Sequence, residues 1–299
     1  MSGMDGREVR SGPGGVAGTG GTGGTVGVRA LNPSLLVGGL LVVLVIGAAL
    51  LSFAWTPYDP THIDAADRLA GPGGEHWLGT DKFGRDVFSQ LLVGARTTLF
   101  VGIVAVGIAA VIGTPLGIFA GMGMRWASEV VMRLNDLLLA FPALLMAIMF
   151  AAVYGPSTLT AMVAIGIATV PAFARLARSG TLQVMSTEYV LAARAAGRRR
   201  AAIGVRHVLP NIAGLVIVQS SVAFAIAILA EAALSFLGFG TRPPTPSWGR
   251  MLQESQELLH SDPRLALWPG AAIALAVLGF NLLGDGLRDR FDPRLEVRR

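Results

Sequence analysis

The chain has no cysteine, which excludes disulfides, thiolate metal sites and thiol nucleophiles. Charge is scarce: Asp, Glu, Lys and Arg make up 14% of the 299 residues, against about a quarter in soluble domains. Only four histidines occur, His62, His76, His207 and His260, and their separations match no metal-ligand spacing. No stretch reads G-x-x-x-x-G-K-[ST], so a phosphate-cradling nucleotide loop is missing. No Ser-His-Asp or paired-carboxylate constellation can be argued from spacing either. What is abundant is apolar: 53% of the residues, with a mean hydropathy of +0.60. The composition is that of a polytopic membrane protein, and a membrane-integral enzyme has no candidate constellation in it. The net charge of +5 then matters less than where the charges fall.

Residues 1–33 form a tail in which eleven of the first 30 residues are glycine. Almost nothing there can bury a core, so a disordered cytoplasmic extension is predicted. Residues 34–299 form one membrane domain. Ser34 to Trp55 carries no charge and is long enough to cross a hydrocarbon core of about 30 Å as a helix. It is read as an uncleaved first span, being longer than a signal-peptide core and lacking its cleavage site. Five more spans are predicted at about Thr97–Met122, Leu137–Tyr154, Thr158–Leu176, Ile212–Leu234 and Leu267–Leu287. Gly113, Gly117 and Gly121 lie four apart and line one face of the second span, where a neighbour's backbone can come close. Pro115, Pro142 and Pro171 fall in or beside spans as candidate kinks.

Six crossings put both termini on one side. With the N-terminus inside, the inner segments (1–33, 123–136, 175–211 and 288–299) hold 17 Lys or Arg. The outer segments (56–96, 155–157 and 235–266) hold 7. Basic residues favour the cytoplasmic side, so both termini are predicted to be cytoplasmic.

The inner loop of about 175–211 contains "EYVLAARAAGRRRAAIGVRHVLPN", residues 188–211. Its alanines favour helix, Ser186 or Thr187 is placed to cap it, and Gly197 offers the unrestrained backbone of a helix end. A second short helix is predicted from about Arg199 to Val208, stopping before Pro210. Ala192, Ala193 and Ala196 leave a low face, while Arg198, Arg199 and Arg200 put charge at the turn. From the residues alone three readings stand: a solvated basic loop, a contact with anionic membrane lipid, or a knob docking into a partner protein. A DNA-reading helix-turn-helix does not suit a unit pinned at both ends to spans, so no nucleic-acid partner is expected.

The loop resembles the "EAA" loop of binding-protein-dependent ABC importer permeases, whose pattern is EAA, three residues, Gly, nine residues, then I-x-L-P. This chain reads Leu191, Ala192, Ala193, then Gly197, then His207, Val208, Leu209, Pro210 at those intervals. Leu191 and His207 replace the leading Glu and the Ile, and "RHVLPN" is similar to the version in dipeptide, oligopeptide and nickel permeases. Residues 76–102, 133–148 ("RLNDLLLAFPALLMAI"), 231–252 and 280–294 ("FNLLGDGLRDRFDPR") resemble the C-type subunit of that family in the same order. The likeness runs from about Leu35 to Arg294. It implies an all-α type I ABC importer permease fold with six transmembrane helices, in a bacterial inner membrane. It also implies a homologous second permease subunit, cytosolic ABC ATPase subunits that use the ATP, and an extracytoplasmic solute-binding protein that delivers dipeptides or oligopeptides. No cofactor of its own is implied. Carried over by position, Ala192, Ala193, Gly197, Leu209 and Pro210 are the ATPase-coupling motif, with Glu188 and Arg194 as contacts beside it.

Polar residues within spans are the other candidates: Gln219, Ser220, Ser221 and Glu231 in the fifth, and Asn281 and Asp285 in the sixth. Such groups line a pathway or fix helix packing by hydrogen bonds, and Asp285 is also placed to pair with Arg288. Two rival functions remain open at this point, a nickel importer permease and an ion-coupled secondary carrier using Glu231 or Asp285. "PPTPSWG", residues 243–249, is read as a stiff outer loop that holds Trp248 near the membrane interface.

Overall fold

In the computed structural model the described residues are 33–291. The tail expected over residues 1–33 falls outside them but for Pro33, which opens the first helix. Among the described residues there is no strand, only an isolated bridge between Thr80 and Asp86. Five helices among the described residues are long and apolar enough to cross a membrane, six if a bent pair of helices counts as one span.

Helix α1 spans Pro33–Ala54 and begins on a proline, whose missing N–H costs nothing in the first turn. Helix α2 runs from Val87 to Met122, 36 residues, ten earlier than the sequence predicted. Asp86 explains the early start, because its carboxylate accepts the Ser89 N–H at 2.7 Å and caps the helix. Arg96, which had marked the predicted boundary, lies inside the helix with its guanidinium 4.5 Å from the centre of the Phe53 ring.

The predicted third span is not one helix. Helix α3, Arg125–Ala140, and helix α4, Ala143–Tyr154, meet at a bend of 82°. Pro142 causes it: proline excludes the preceding residue from helical geometry, and Phe141 is extended at ψ 127°. Helix α5 spans Thr158–Met185, capped by Ser157 and reaching nine residues past the predicted end. Three short elements follow, and then helix α8, Leu209–Phe236, helix α9, Trp248–Ser255, and helix α10, Arg264–Phe291.

The spine of the bundle is the contact between α2 and α5, which run parallel. A Cβ on Gly113 would stand 2.6 Å from the Val170 carbonyl, one on Gly117 2.3 Å from the Ala174 carbonyl, and one on Gly121 2.6 Å from Thr181 Cβ. The glycine stripe therefore lets backbone touch backbone, as its spacing suggested. Helices α1 and α10 pair antiparallel, with Leu35 against Gly286 and Leu41 against Gly279. Leu35, Met122, Met185 and Phe291 thus gather at one end of the bundle, and Trp55, Val87, Phe236 and Arg264 at the other.

That second end is bolted shut by polar groups. Trp248 is buried at 3% exposure rather than sitting at an interface: its indole N–H donates to the Leu91 carbonyl at 3.0 Å, and Gly94 leaves room for its ring. Thr97 donates to the Pro246 carbonyl at 3.0 Å. Arg85 pairs with Asp81 at 2.6 Å and with Glu254, which also holds Arg250 at 2.6 Å. Burial opposes the Arg85 charge, but the two carboxylates outweigh it and raise the guanidinium pKa above its ordinary value.

Gly117→Ala is expected to lower stability by about 1–3 kcal/mol through overpacking, seen as a lower thermal midpoint of the solubilised protein. Gly107→Ala, whose Cβ would meet nothing within 4 Å, leaves that midpoint unchanged or raises it.

Candidate functional site

The three short elements between α5 and α8 form an elbow at the end where Met122 and Met185 meet. Helix α6 is Glu188–Ala195, helix α7 is Arg200–Ile203, and a π-helical turn covers Gly204–Val208. Thr187 is the N-cap of α6, but only through its backbone: its carbonyl accepts the Val190 and Leu191 N–H groups at 3.1 Å. Neither Ser186 nor Thr187 caps with its side chain as predicted, because their hydroxyls turn back to the Gln183 and Val184 carbonyls. Gly197 ends α6 with φ at +75°, a left-handed conformation that costs an L-residue about 1–2 kcal/mol. The Gly197 N–H donates to the Arg194 carbonyl and the Arg198 N–H to the Ala193 carbonyl, closing the helix in a double-bonded C-terminal turn.

The second helix does not stop before Pro210. From Arg200 to Phe236 the chain is one rod of 37 residues. Pro210 lacks an N–H, and its ring would clash with the carbonyl four residues back in a regular helix. The wider turn relieves this, and the Leu209 N–H reaches back five residues to the Gly204 carbonyl.

One side of the elbow is buried. Val190, Ile203, Val208 and Ile212 cluster with Ala177 of α5, and Ile118, Met122 and Val184 pack against them. Val190 is the single buried residue of α6. The rest of it is open: Glu188, Ala192, Arg194, Gly197, Leu209 and Pro210 are exposed and Ala193 is half-buried. Tyr189 and Leu191 add apolar surface there, each about half exposed (46% and 50%). Five of the seven candidate residues therefore share α6 and its closing turn. Leu209 and Pro210 begin α8, tied to α6 by the Tyr189 and His207 rings, whose centres are 6.0 Å apart. Around this face stand Arg194, Arg198, Arg199, Arg200 and Arg206, none within ion-pair distance of a carboxylate among the described residues.

The polar residues within the spans do not come together. The Ser220 hydroxyl donates to the Val216 carbonyl of its own helix at 2.8 Å. Ser221 is buried and faces Gly284 of α10, while Gln219 and Asn281 are half-buried. Glu231 stands ten residues beyond Ser221, about 15 Å along α8. It is 1% exposed, accepts from Ser235 at 2.7 Å and Thr241 at 3.4 Å, and has Ser247 facing the same carboxyl. Its second carboxylate oxygen has no hydrogen-bond partner among the described residues. Asp285 is exposed and makes no ion pair with Arg288 among them. The described residues contain no group of three His, Asp or Glu placed to hold a metal ion.

Reading the sequence missed the anchors Val190, Ile203 and Val208. Their signal was only partial: of the four β-branched residues in 188–211, Val190, Ile203 and Val208 are buried, but Val205 is exposed, so residue type alone does not pick out the anchors.

Comparison with known proteins gives consistent answers. Residues 113–297 match the family described as "Binding-protein-dependent transport system inner membrane component". The chain is 43% identical over 265 residues to the dipeptide transport system permease protein DppC of Alkalihalophilus pseudofirmus, covering 89% of this chain and 87% of that one. It is also 43% identical over 259 residues to the glutathione transport system permease protein GsiD of Pectobacterium atrosepticum, covering 86% of each. Among solved structures, a chain of the inward-facing MetNI methionine ABC transporter superposes with a TM-score of 0.57 at 16% identity, covering 68% of this chain and 96% of that chain. That likeness is one of fold.

Val190→Ala is expected to loosen the docking of α6 by about 2 kcal/mol. Hydrogen exchange of the amides at 191–197 then speeds up roughly 10–30-fold, while the amides of α2 and α5 stay protected.

Proposed function

The chain belongs to the binding-protein-dependent transport system inner membrane components, and we propose that within this family α6 is the coupling helix of an importer for short peptides. It is the permease of a binding-protein-dependent ABC importer. The observation that carries it is the elbow: a short helix pinned by one valine, stopped by one left-handed glycine, and presenting Tyr189, Leu191, Ala192 and Ala193 outward among arginines. A basic loop needs no such apolar platform to stay in solution, whereas a surface seated in a protein cleft does.

On this reading the arginine-rich end faces the cytosol, in keeping with 17 basic residues on that side against 7 on the other. Cytosolic ATPase subunits hydrolyse ATP and hold the elbow. Their two nucleotide states must contact it differently, because only a differential interaction can shift a conformational equilibrium. The shift rocks helix bundles about a central pathway and alternates access between the two faces. A homologous second permease supplies the other half of that pathway. An extracytoplasmic solute-binding protein delivers cargo to the opposite end, where α9 and residues 55–86 form the surface. The dipeptide and glutathione permeases among the relatives support short peptides as cargo.

Gly197 tests the coupling role with little interference from packing, since a Cβ there would meet nothing within 4 Å. In proteoliposomes containing the complete importer, Gly197→Val is expected to cut ATP-driven peptide uptake at least about tenfold through backbone strain alone. Membrane insertion and thermal stability stay near those of the parent. Uptake equal to the parent's removes the coupling role from this turn. Uptake driven by a proton gradient with no ATPase subunit present overturns the importer reading.

A further inference from the structure

Between α2 and the rod that begins at Arg200 lies an open groove of about 800 Å³. On α2 it extends from Ala110 to Gly123, and its far wall carries Val205, Leu209 and Val216. The lining contains one cation, Arg200, one hydroxyl, Thr114, and no carboxylate. Its walls are apolar and uncovered in the protomer: Val111 is 73% exposed, Phe119 57% and Val205 68%.

Three features point to the same occupant. The first is depth. Thirteen residues of helix rise about 20 Å, which matches one leaflet, its acyl layer of about 15 Å plus part of the headgroup zone. The second is the place of the charge. Arg200 sits at the end of the groove beside Met122, where α2 leaves the membrane, and Arg198 and Arg199 are exposed immediately before it. The third is spare donor capacity: Arg200 donates one hydrogen bond to the Met122 carbonyl at a long 3.4 Å, which leaves the rest of the guanidinium for an anion. Arginine's planar fork suits two oxygens of one phosphate. An apolar trough of one leaflet's depth with a cation at its mouth is complementary to a negatively charged phospholipid.

We propose that this groove is a site for one anionic phospholipid, with its phosphate on Arg200 and an acyl chain along α2 between Val111 and Phe119. The inference rests on the orientation given under the proposed function, which places Arg200 in the cytoplasmic leaflet. It has a consequence for the elbow. The wall of the groove is α7 and the π-helical turn, whose other side carries Ile203 and Val208, the anchors against which Val190 docks. A lipid in the groove braces the elbow from behind.

The test uses the complete importer in nanodiscs with Val205→Trp as reporter, read as the fluorescence difference from the parent chain. Lipids brominated on their acyl chains are supplied as phosphatidylglycerol or as phosphatidylcholine at equal fraction. Occupancy by an anionic lipid predicts quenching about fivefold more effective with phosphatidylglycerol, the preference one basic side chain near an anionic headgroup gives. Arg200→Gln abolishes that preference, and Arg206→Gln, which removes a charge outside the groove, leaves it. Equal quenching by both lipids overturns the headgroup site, and no quenching by either shows that protein, such as the second permease, fills the groove. ATP hydrolysis in the same discs is measured alongside. Its loss in the parent chain speaks against the importer reading, while the quenching ratio still decides the lipid site.

Discussion

Contact between the backbones of α2 and α5 is the constraint from which the rest of the structure follows. In a hydrocarbon solvent apolar side chains gain nothing by leaving lipid for protein, so helices associate through close van der Waals contact and hydrogen bonds. Gly113, Gly117 and Gly121 allow that contact by bringing α2 onto the carbonyls of Val170, Ala174 and Arg178. The alignment sets Ile118 and Met122 beside Ala177, and these residues make the floor on which Val190 and Ile203 rest. The elbow thus inherits its position from the spine. A wider gap between the two helices would leave α6 with nothing to stand on.

The two ends of the bundle solve different problems. At the end of α9, the charged groups neutralise one another: Arg85, Asp81, Arg250 and Glu254 form a network, and Lys82 reaches Glu257 at 2.8 Å. Helix α9 and the loop before it are held there by the Trp248 and Thr97 hydrogen bonds, and these six charged side chains are paired within the chain. At the elbow no carboxylate among the described residues pairs with the arginines, and none of these residues covers the apolar platform. The contrast is between charges paired within the chain at one end and a basic, partly apolar exposed face at the other.

Much of this was legible in the sequence because hydrocarbon imposes simple rules. A long apolar run with at most one charge must be helical in hydrocarbon, so α1, α5, α8 and α10 were found with ends adrift by a few residues, though α5 ran nine residues long. Gly197 was readable because only a helix end needs a residue free to turn left between an alanine run and three arginines. The misses have physical causes too. Pro142 reads as a candidate kink, but sequence does not give the size of the bend, 82° between α3 and α4, which splits the predicted span in two. Asp86 as a cap, which moves the start of α2 back by ten residues, is a local hydrogen bond invisible to hydropathy. Pro210 looked like a stop because the rule for proline presumes regular helical bonding, and the widened turn at Gly204–Val208 escapes that rule. Contacts between distant segments, such as Val190 on Ala177 or Trp248 on Gly94, depend on the fold being known first.

That widened turn has a mechanical corollary. Because the helix is not interrupted, residues 200–236 form a single beam about 55 Å long. Tilting such a beam by 5° about one tip displaces the other by roughly 5 Å, one full helical pitch. A stop at Pro210 would have made a hinge there, and small movements would have died out at the membrane surface. The widened turn, by absorbing Pro210, thus preserves leverage along the whole helix.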